Sequence, residues 1–138
     1  MDGLNSAASL AAWVRQELGT NHPDPVMITR VIARETDRWL DAHRAGLPVR
    51  ELVTEPARTG DARWDALLEG VVAYRCGAMG IARPAWTRDT RLDVGWNPFD
   101  DSTAMMVSPA WALLDTLETP APILDKGVTW SYRNMELA

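Results

Sequence analysis

Residues 54–86, TEPARTGDARWDALLEGVVAYRCGAMGIARPAW, contain the clearest helix signal in the chain. Thr59-Gly60-Asp61 supplies side chains that can cap the unpaired N–H groups of a first helical turn. Gly80 suits the left-handed conformation that ends a helix, and Pro84 prevents its continuation. We predict that this helix is the central core element and that the other segments pack against it. Its apolar face, set by helical spacing, consists of Trp64, Leu67, Leu68, Val71 and Val72.

The composition is typical of one soluble globular domain spanning residues 1–138. Hydrophobic residues make up 46% of the chain and charged residues 24%. The chain has seven tryptophans but only one phenylalanine and two tyrosines. Large aromatic rings usually fill a core, so we expect most of the tryptophans to be buried, while one or two could line a partner-binding surface.

Charge, cysteine content and hydropathy argue against several classes of protein. The net charge of −5 opposes general binding to nucleic acid, which requires neutralisation of phosphates. The single cysteine, Cys76, cannot form an intramolecular disulfide and suits a reducing cytoplasm. No charged and apolar leader opens the chain, and no apolar run approaches the length of a membrane span. We therefore expect a cytoplasmic protein that does not cross a membrane.

The pattern of caps and apolar spacing predicts an all-α, mainly helical single domain with about four main helices. Val128–Tyr132 has β-branched and aromatic character and could form a short strand, although no second strand is in view to pair with it. Short helical turns are predicted at 48–53, 120–125 and 134–138. The main helices run from Ser6 to Leu18, from about Pro25 to Ala45, from the Thr59-Gly60-Asp61 cap to Gly80, and from Ser108 to Thr119.

A long irregular loop is predicted for residues 87–103, TRDTRLDVGWNPFDDST. Long loops without structure of their own are often functional. Trp96 and Phe99 lie here among acidic residues, and we place the partner contact at this loop. Two interpretations remain open: exposed rings that anchor a basic partner, or rings that fold back onto the central helix. The acidic residues of this candidate contact are Asp93, Asp100 and Asp101, and their spacing does not match a calcium loop.

Arg30, Arg34 and Arg38 lie four residues apart on the second helix, so they form one row. Asp37 and Asp41 follow Arg34 and Arg38 by three residues, which favours local ion pairs on a solvated face. The alternative is that the row binds an anion or docks a partner. The row is therefore a second candidate partner-binding site.

Known catalytic and metal-binding patterns do not occur in the sequence. His22 and His43 lack the HxxxH and HExxH spacings of zinc sites, and Cys76 has no cysteine partner, so it is expected to be a small buried hydrophobe. Glycine-rich phosphate loops and the GxSxG nucleophile motif are missing. Glu35 interrupts an apolar stripe and is either a buried acid or, more commonly for glutamate, a helix-edge residue. We predict no catalytic residues, no metal, no cofactor and no enzymatic activity.

Residues 59–89, TGDARWDALLEGVVAYRCGAMGIARPAWTRD, resemble a recurring actinobacterial module. In that module a T-G-D-x-R-x-D-A-L-L helix precedes a turn with glycine, a small residue, proline and Trp-Thr. Weaker matches are WLDA at 39–42 and TPAPILDKGV at 119–128. The module is the C-terminal part of predicted helix-turn-helix regulators of the antitoxin kind, and the similarity covers about residues 28–137.

The resemblance implies a non-enzymatic antitoxin-like or regulatory protein that acts through protein–protein interaction, for example by holding a cognate toxin inactive. The segment before Thr54 is too short for the DNA-reading domain of those regulators, so we expect this chain to lack a DNA-binding arm. Nucleic acid is then not expected as a ligand without a partner, and a homodimer stays open. The alternatives are a dimeric DNA-binding transcription regulator and a small enzyme of unrecognised type.

Overall fold

The computed structural model describes residues 3–100 and 109–136, and the fold of this part is all-α, as predicted. Two short 3₁₀ turns, Arg50–Val53 and Ala85–Arg88, flank the third helix on its two sides in sequence. The start predicted for the fourth main helix at Ser108 lies outside the described residues. The helices are α1 (Ala7–Leu18), α2 (Pro25–Arg44), α3 (Ala62–Met79), α4 (Pro109–Leu117), α5 (Ala121–Leu124) and α6 (Arg133–Glu136).

The predicted caps set the ends of the first two helices. The Ser6 side chain accepts a hydrogen bond from the backbone N–H of Ser9, at 3.1 Å, and opens α1. The Asp24 side chain accepts from the N–H of Met27 and opens α2, with a proline in the first turn. These local hydrogen bonds satisfy N–H groups that the helix itself leaves unpaired, so short sequence signals suffice to place both starts.

Helix α3 is the central element, as predicted, and packs against α1, α2, α5 and the second 3₁₀ turn. Asp61 caps its start by accepting from the N–H of Arg63, and Gly80 ends it in the left-handed conformation at φ 70°. Leu67 and Leu68 are buried, as expected for the predicted core face. Because neighbours surround α3, however, its polar side is buried too. The buried polar residues of α3 are Asp65, Glu69 and Arg75.

Five of the seven tryptophans are buried, which agrees with the expectation that most of them fill the core. Trp39 donates its indole N–H to the carbonyl of Asn5 at 2.7 Å, and Trp86 donates to the carbonyl of Val53 at 2.9 Å. Each of these two rings therefore contributes apolar area to the core while its polar atom is satisfied by a backbone carbonyl. The buried tryptophans are Trp39, Trp64, Trp86, Trp96 and Trp130.

The long loop runs beside the chain that follows α5. The backbone N–H of Trp96 donates to the carbonyl of Gly127, and the backbone carbonyl of Trp96 accepts from the N–H of Thr129, each at 2.9 Å. These bonds form an isolated parallel bridge between Trp96 and Val128. Val128 begins the segment for which a short strand was predicted, and the residue that pairs with it, Trp96, lies in the long loop. Gly127 has φ +83°, and a Cβ there would lie 2.9 Å from the carbonyl oxygen of Leu92, so only glycine suits this approach.

No helix within residues 3–100 and 109–136 combines the length and the apolar character needed to cross a bilayer.

Candidate protein-interaction surface

Helix α4 differs from α1, α2 and α3 because its large apolar side chains are exposed, while its buried residue is a carboxylate. Leu113 is 61% exposed and Leu117 is 74% exposed, whereas Asp115 is only 8% exposed. A helix of a globular protein normally buries its apolar face, whereas the apolar side of α4 faces outward. We call its exposed large side chains the α4 apolar surface: Trp111, Leu113, Leu114 and Leu117.

Buried hydrogen bonds on the polar side of α4 produce this orientation. The Asp115 carboxylate accepts from the backbone N–H of Ser131 at 2.8 Å and from the side-chain amide of Asn97. The hydroxyl of Thr119, just after the helix, donates to the carbonyl of Asp115 at 2.7 Å and accepts from the backbone N–H of Trp130 at 2.8 Å. Asp115 and Thr119 are four residues apart and share one face, so that face must point inward.

The end of α4 is also held by Glu118. Its carboxylate accepts from the Ser131 hydroxyl at 3.1 Å and from the Arg133 guanidinium at 2.8 Å. The attraction of this carboxylate raises the pKa of Arg133 above its ordinary value. Three polar residues at or near the end of α4, Asp115, Glu118 and Thr119, therefore bind residues 130–133, which lead into α6 and include its first residue.

A cavity lies along each side of α4. The first, which we call the apolar cavity, has a volume of about 220 Å³. The second, the polar cavity, has a volume of about 140 Å³. Helix α4 thus forms a ridge, which we call the α4 ridge, between the apolar cavity and the polar cavity. The apolar cavity is lined by Phe99, Trp111, Leu114, Asp115, Glu118, Ser131, Arg133 and Asn134. The polar cavity is lined by Gly95, Trp96, Asn97, Asp100, Ala112, Thr116 and Thr129.

The surroundings of the ridge are negatively charged. Three carboxylates, Asp100, Asp115 and Glu118, line the two cavities, together with the guanidinium of Arg133. The Arg63 guanidinium lies nearby, over the ring of Trp96. The hydrogen bonds of Asp115 come from neutral donors, so they do not cancel its charge. In residues 3–100 and 109–136, no group of three or more His, Cys, Asp or Glu side chains is arranged to hold a metal ion.

The predicted loop contact is partly reassigned. Trp96 and Phe99 are only 7% and 8% exposed, so the interpretation that they are exposed anchors is wrong. Trp96 follows the alternative interpretation, in which the rings fold back onto the central helix. Its ring packs edge to face against that of Trp64 in α3, with 5.2 Å between the ring centroids. Burial of such a large ring is favourable. Asp93 and Asp100 are exposed as expected, and Asp101 lies outside the described residues.

Both rings nevertheless line the cavities beside α4, so the loop and α4 together form one candidate surface. Sequence reasoning located the loop but missed the α4 apolar surface. The available signal was the placement of Asp115 and Thr119 on the face opposite Leu113 and Leu117. Periodicity marks both faces and does not say which of them points inward.

The arginine row is exposed on α2, but its ion pairs differ from those predicted. Arg38 donates to the carbonyl of Gly3 and to the Glu35 carboxylate, and Arg34 lies 3.8 Å from the same carboxylate. Glu35 is only 8% exposed, so it is the buried acid of the two alternatives. A buried carboxylate requires a partner, which explains why it takes the neighbouring guanidinium groups. Arg30 is exposed on the same helix.

The expected pairs of Arg34 with Asp37 and of Arg38 with Asp41 are wrong. Asp41 pairs with Arg44 at 3.3 Å. Asp37 lies 3.7 Å from Arg75 of α3, whose buried guanidinium also donates to the carbonyl of Ala33 and the hydroxyl of Thr36. Desolvation lowers the pKa of Arg75, and the nearby Asp37 charge opposes this effect. Helix packing thus gives Asp37 a partner on α3, whereas Glu35 and Asp41 keep partners within α2.

The residues that carry the family resemblance form a capping network at the start of α3. Asp65 accepts hydrogen bonds from the N–H and the hydroxyl of Thr59 at 2.8 and 2.9 Å, and Asp61 pairs with Arg63 at 3.1 Å. The Arg63 guanidinium also lies over the ring of Trp96, 5.3 Å from its centroid. The T-G-D-x-R-x-D pattern therefore has a structural explanation in this chain.

Cys76 is fully buried in α3, as predicted. Burial raises the pKa of its thiol to about 11, although the charge of Arg83 opposes the effect. The nucleophilic form is the thiolate, which is scarce at neutral pH for such a group. Cys76 is accordingly a core residue rather than a candidate nucleophile.

No protein-family model, curated protein or solved structure matches this chain. Its function must be argued from the geometry and charge of the α4 region.

Proposed function

We propose that this protein binds another protein through the α4 apolar surface and acts as a non-enzymatic antitoxin-like or regulatory protein. In its most specific form, the partner is a toxin that binding holds inactive. The resemblance of residues 59–89 to a module of antitoxin-like regulators supports the choice of this class.

The outward orientation of Leu113 and Leu117 is the observation that carries the proposal. Large apolar side chains gathered on one exposed helix face are typical of protein-interaction sites. Helix α4 is also held in place by the buried hydrogen bonds of Asp115 and Thr119. A surface that is ordered before binding loses less conformational entropy when the partner arrives.

The alternative of a DNA-binding regulator has less support. Arg38 is already engaged by Gly3 and Glu35, and Arg34 lies beside the same carboxylate. The net charge of −5 would also repel the phosphate backbone.

The test compares the wild type with the double variant Leu113→Gln/Leu117→Gln. Both side chains are exposed, so the variant should fold with an unchanged Tm. The two proteins are used to capture partners from the native cell, and a partner identified by mass spectrometry is purified and its Kd measured. We expect the double variant to bind at least about tenfold more weakly, which corresponds to roughly 1.4 kcal/mol.

The control is Leu47→Gln, because Leu47 is a large hydrophobic residue that is 43% exposed and lies outside both α4 and the long loop. It should bind as the wild type does. Co-expression of the chain with a captured toxin should restore growth, and the double variant should restore it less. A partner that binds the wild type and the double variant equally would contradict the proposal.

A further inference from the structure

We infer that the partner presents a basic amphipathic segment to the α4 ridge, with apolar side chains on the α4 apolar surface and Lys or Arg side chains beside the flanking carboxylates. This inference rests on the proposed function and adds the chemistry of the partner.

The apolar half of the inference comes from the cavity beside α4. Phe99, Trp111 and Leu114 line a hollow of about 220 Å³ that has room for an aliphatic side chain. Leu113 and Leu117 extend the apolar contact along the helix. An amphipathic helix presents its apolar residues in a stripe that matches such a ridge and hollow.

The carboxylates that line the two cavities indicate that the partner segment is basic. Asp100 lines the polar cavity, while Asp115 and Glu118 line the apolar cavity. Arg133 balances Glu118, at 2.8 Å, but Asp115 has neutral hydrogen-bond donors and Asp100 accepts from the backbone N–H of Asn97. A cation placed here gains Coulomb energy in a partly desolvated site, where charges attract more strongly than in water.

The charge of the wider region agrees with this assignment. From residue 89 to 136, leaving out 101–108, the chain has seven acidic and three basic residues, a formal charge of −4. Residues 3–88 carry ten acidic and eleven basic residues, a formal charge of +1. The α4 ridge therefore lies in the acidic part of the chain, which steers a basic partner toward it.

A second copy of the chain fits the ridge less well. A symmetric contact between two α4 helices would bring the carboxylates beside the helix, Asp100 and Glu118, of one copy toward those of the other. Like charges placed opposite each other at an interface oppose association. The basic partner avoids this repulsion.

The test uses two synthetic, fluorescently labelled peptides of about 18 residues, long enough to form a helix. Both carry leucine on one face, and the other face carries lysine in one peptide and glutamate in the other. Fluorescence anisotropy measures the Kd of each for the full chain at low and at physiological salt. We expect the lysine peptide to bind at least about tenfold more tightly than the glutamate peptide, with an advantage that shrinks as salt screens the charges.

Two variants separate the apolar and the charged contributions. Leu113→Gln/Leu117→Gln should weaken both peptides. Asp100→Asn/Glu118→Gln should weaken the lysine peptide alone, by about threefold to tenfold. The matched control, Asp41→Asn/Glu51→Gln, makes the same change in net charge at exposed residues outside the α4 region and should leave both Kd values unchanged.

Equal binding of the two peptides, lost in the leucine variant, would overturn the assignment of a basic partner and leave the proposed function standing. Binding of neither peptide would also overturn it, while the capture experiment decides the proposed function separately. Sedimentation could also show that the wild type is a dimer and that Leu113→Gln/Leu117→Gln is a monomer. The occupant of the α4 ridge would then be a second copy of the chain, which would likewise overturn the inference.

Discussion

Lys126 and Glu69 form an ion pair inside the protein, with 2.6 Å between Nζ and Oε1 and each side chain only 5% exposed. Glu69 lies in the middle of α3, and Lys126 follows α5. Thr90 completes the arrangement, because its N–H donates to Glu69 at 2.9 Å and its carbonyl accepts from Lys126 at 2.8 Å. One buried pair thus connects the central helix, the long loop and the C-terminal segment on which α4 is anchored.

Removing one partner of this pair should be costly. Lys126→Met leaves the Glu69 carboxylate buried without its closest cation, and we expect a loss of about 3–5 kcal/mol in the free energy of unfolding. The double variant Glu69→Leu/Lys126→Met removes both charges and should be less destabilised than Lys126→Met alone. Urea denaturation of the two variants checks this order. A loss below about 1 kcal/mol in Lys126→Met would show that water reaches the pair in solution.

The core face of α3 gives a second prediction. Leu67 and Leu68 are 0% and 2% exposed, so truncation of either to alanine should cost about 2–5 kcal/mol in unfolding free energy. Leu117→Ala is the matched control, because this leucine is largely exposed and its truncation should change stability by less than about 0.5 kcal/mol. The free energies are measured by chemical denaturation. Losses below half a kcal/mol at both core positions would mean that the core face is wrongly placed.

Trp96 tests whether the long loop is part of the core. Trp96→Ala should lower the Tm strongly, with a loss of about 3–5 kcal/mol, since the ring is buried against Trp64. Trp96→Phe should lose less, because it keeps an aromatic ring and removes an N–H that has no acceptor in the protein. Thermal unfolding followed by circular dichroism measures both. An unchanged Tm in Trp96→Ala would show that the long loop is not part of the core.

Two glycines of α3 should respond to alanine in opposite directions. A Cβ at Gly70 would lie 2.9 Å from the Cα of Ile123, so Gly70→Ala must push α5 away and should cost about 1–3 kcal/mol. At Gly77 nothing lies within 4 Å, and alanine there should stabilise the helix by about 0.5–1 kcal/mol. The two midpoints of urea unfolding report the difference. Equal effects at both positions would contradict the close packing of α3 on α5.

The acidic total predicts weak contact with nucleic acid. At physiological salt the isolated chain should not shift random duplex DNA in a mobility assay, because the net charge of −5 opposes phosphate binding. Changing Arg30, Arg34 and Arg38 to alanine should leave this result unchanged. Tight binding with a steep salt dependence, lost in the triple variant, would instead favour the DNA-binding regulator.

Part of the candidate surface was accessible from the sequence. The loop holding Trp96, Phe99 and Asp100 was recognised by its lack of periodicity, and these residues do line the cavities beside α4. Whether their rings point outward could not be read from the loop, because burial depends on which elements lie next to it. Here Trp64 and the chain around Val128 provide the neighbours.

The sequence by itself determined the helices and their order. Ser6, Asp24 and Asp61 cap helix starts, and Gly80 with Pro84 ends α3, since these effects act over a few residues of chain. Only the tertiary structure decided which faces became surface and which charges met. The polar side of α4 faces inward because Asp115 accepts a hydrogen bond from Ser131, and Lys126 pairs with Glu69, 57 residues away in sequence. Such bonds depend on packing between distant segments.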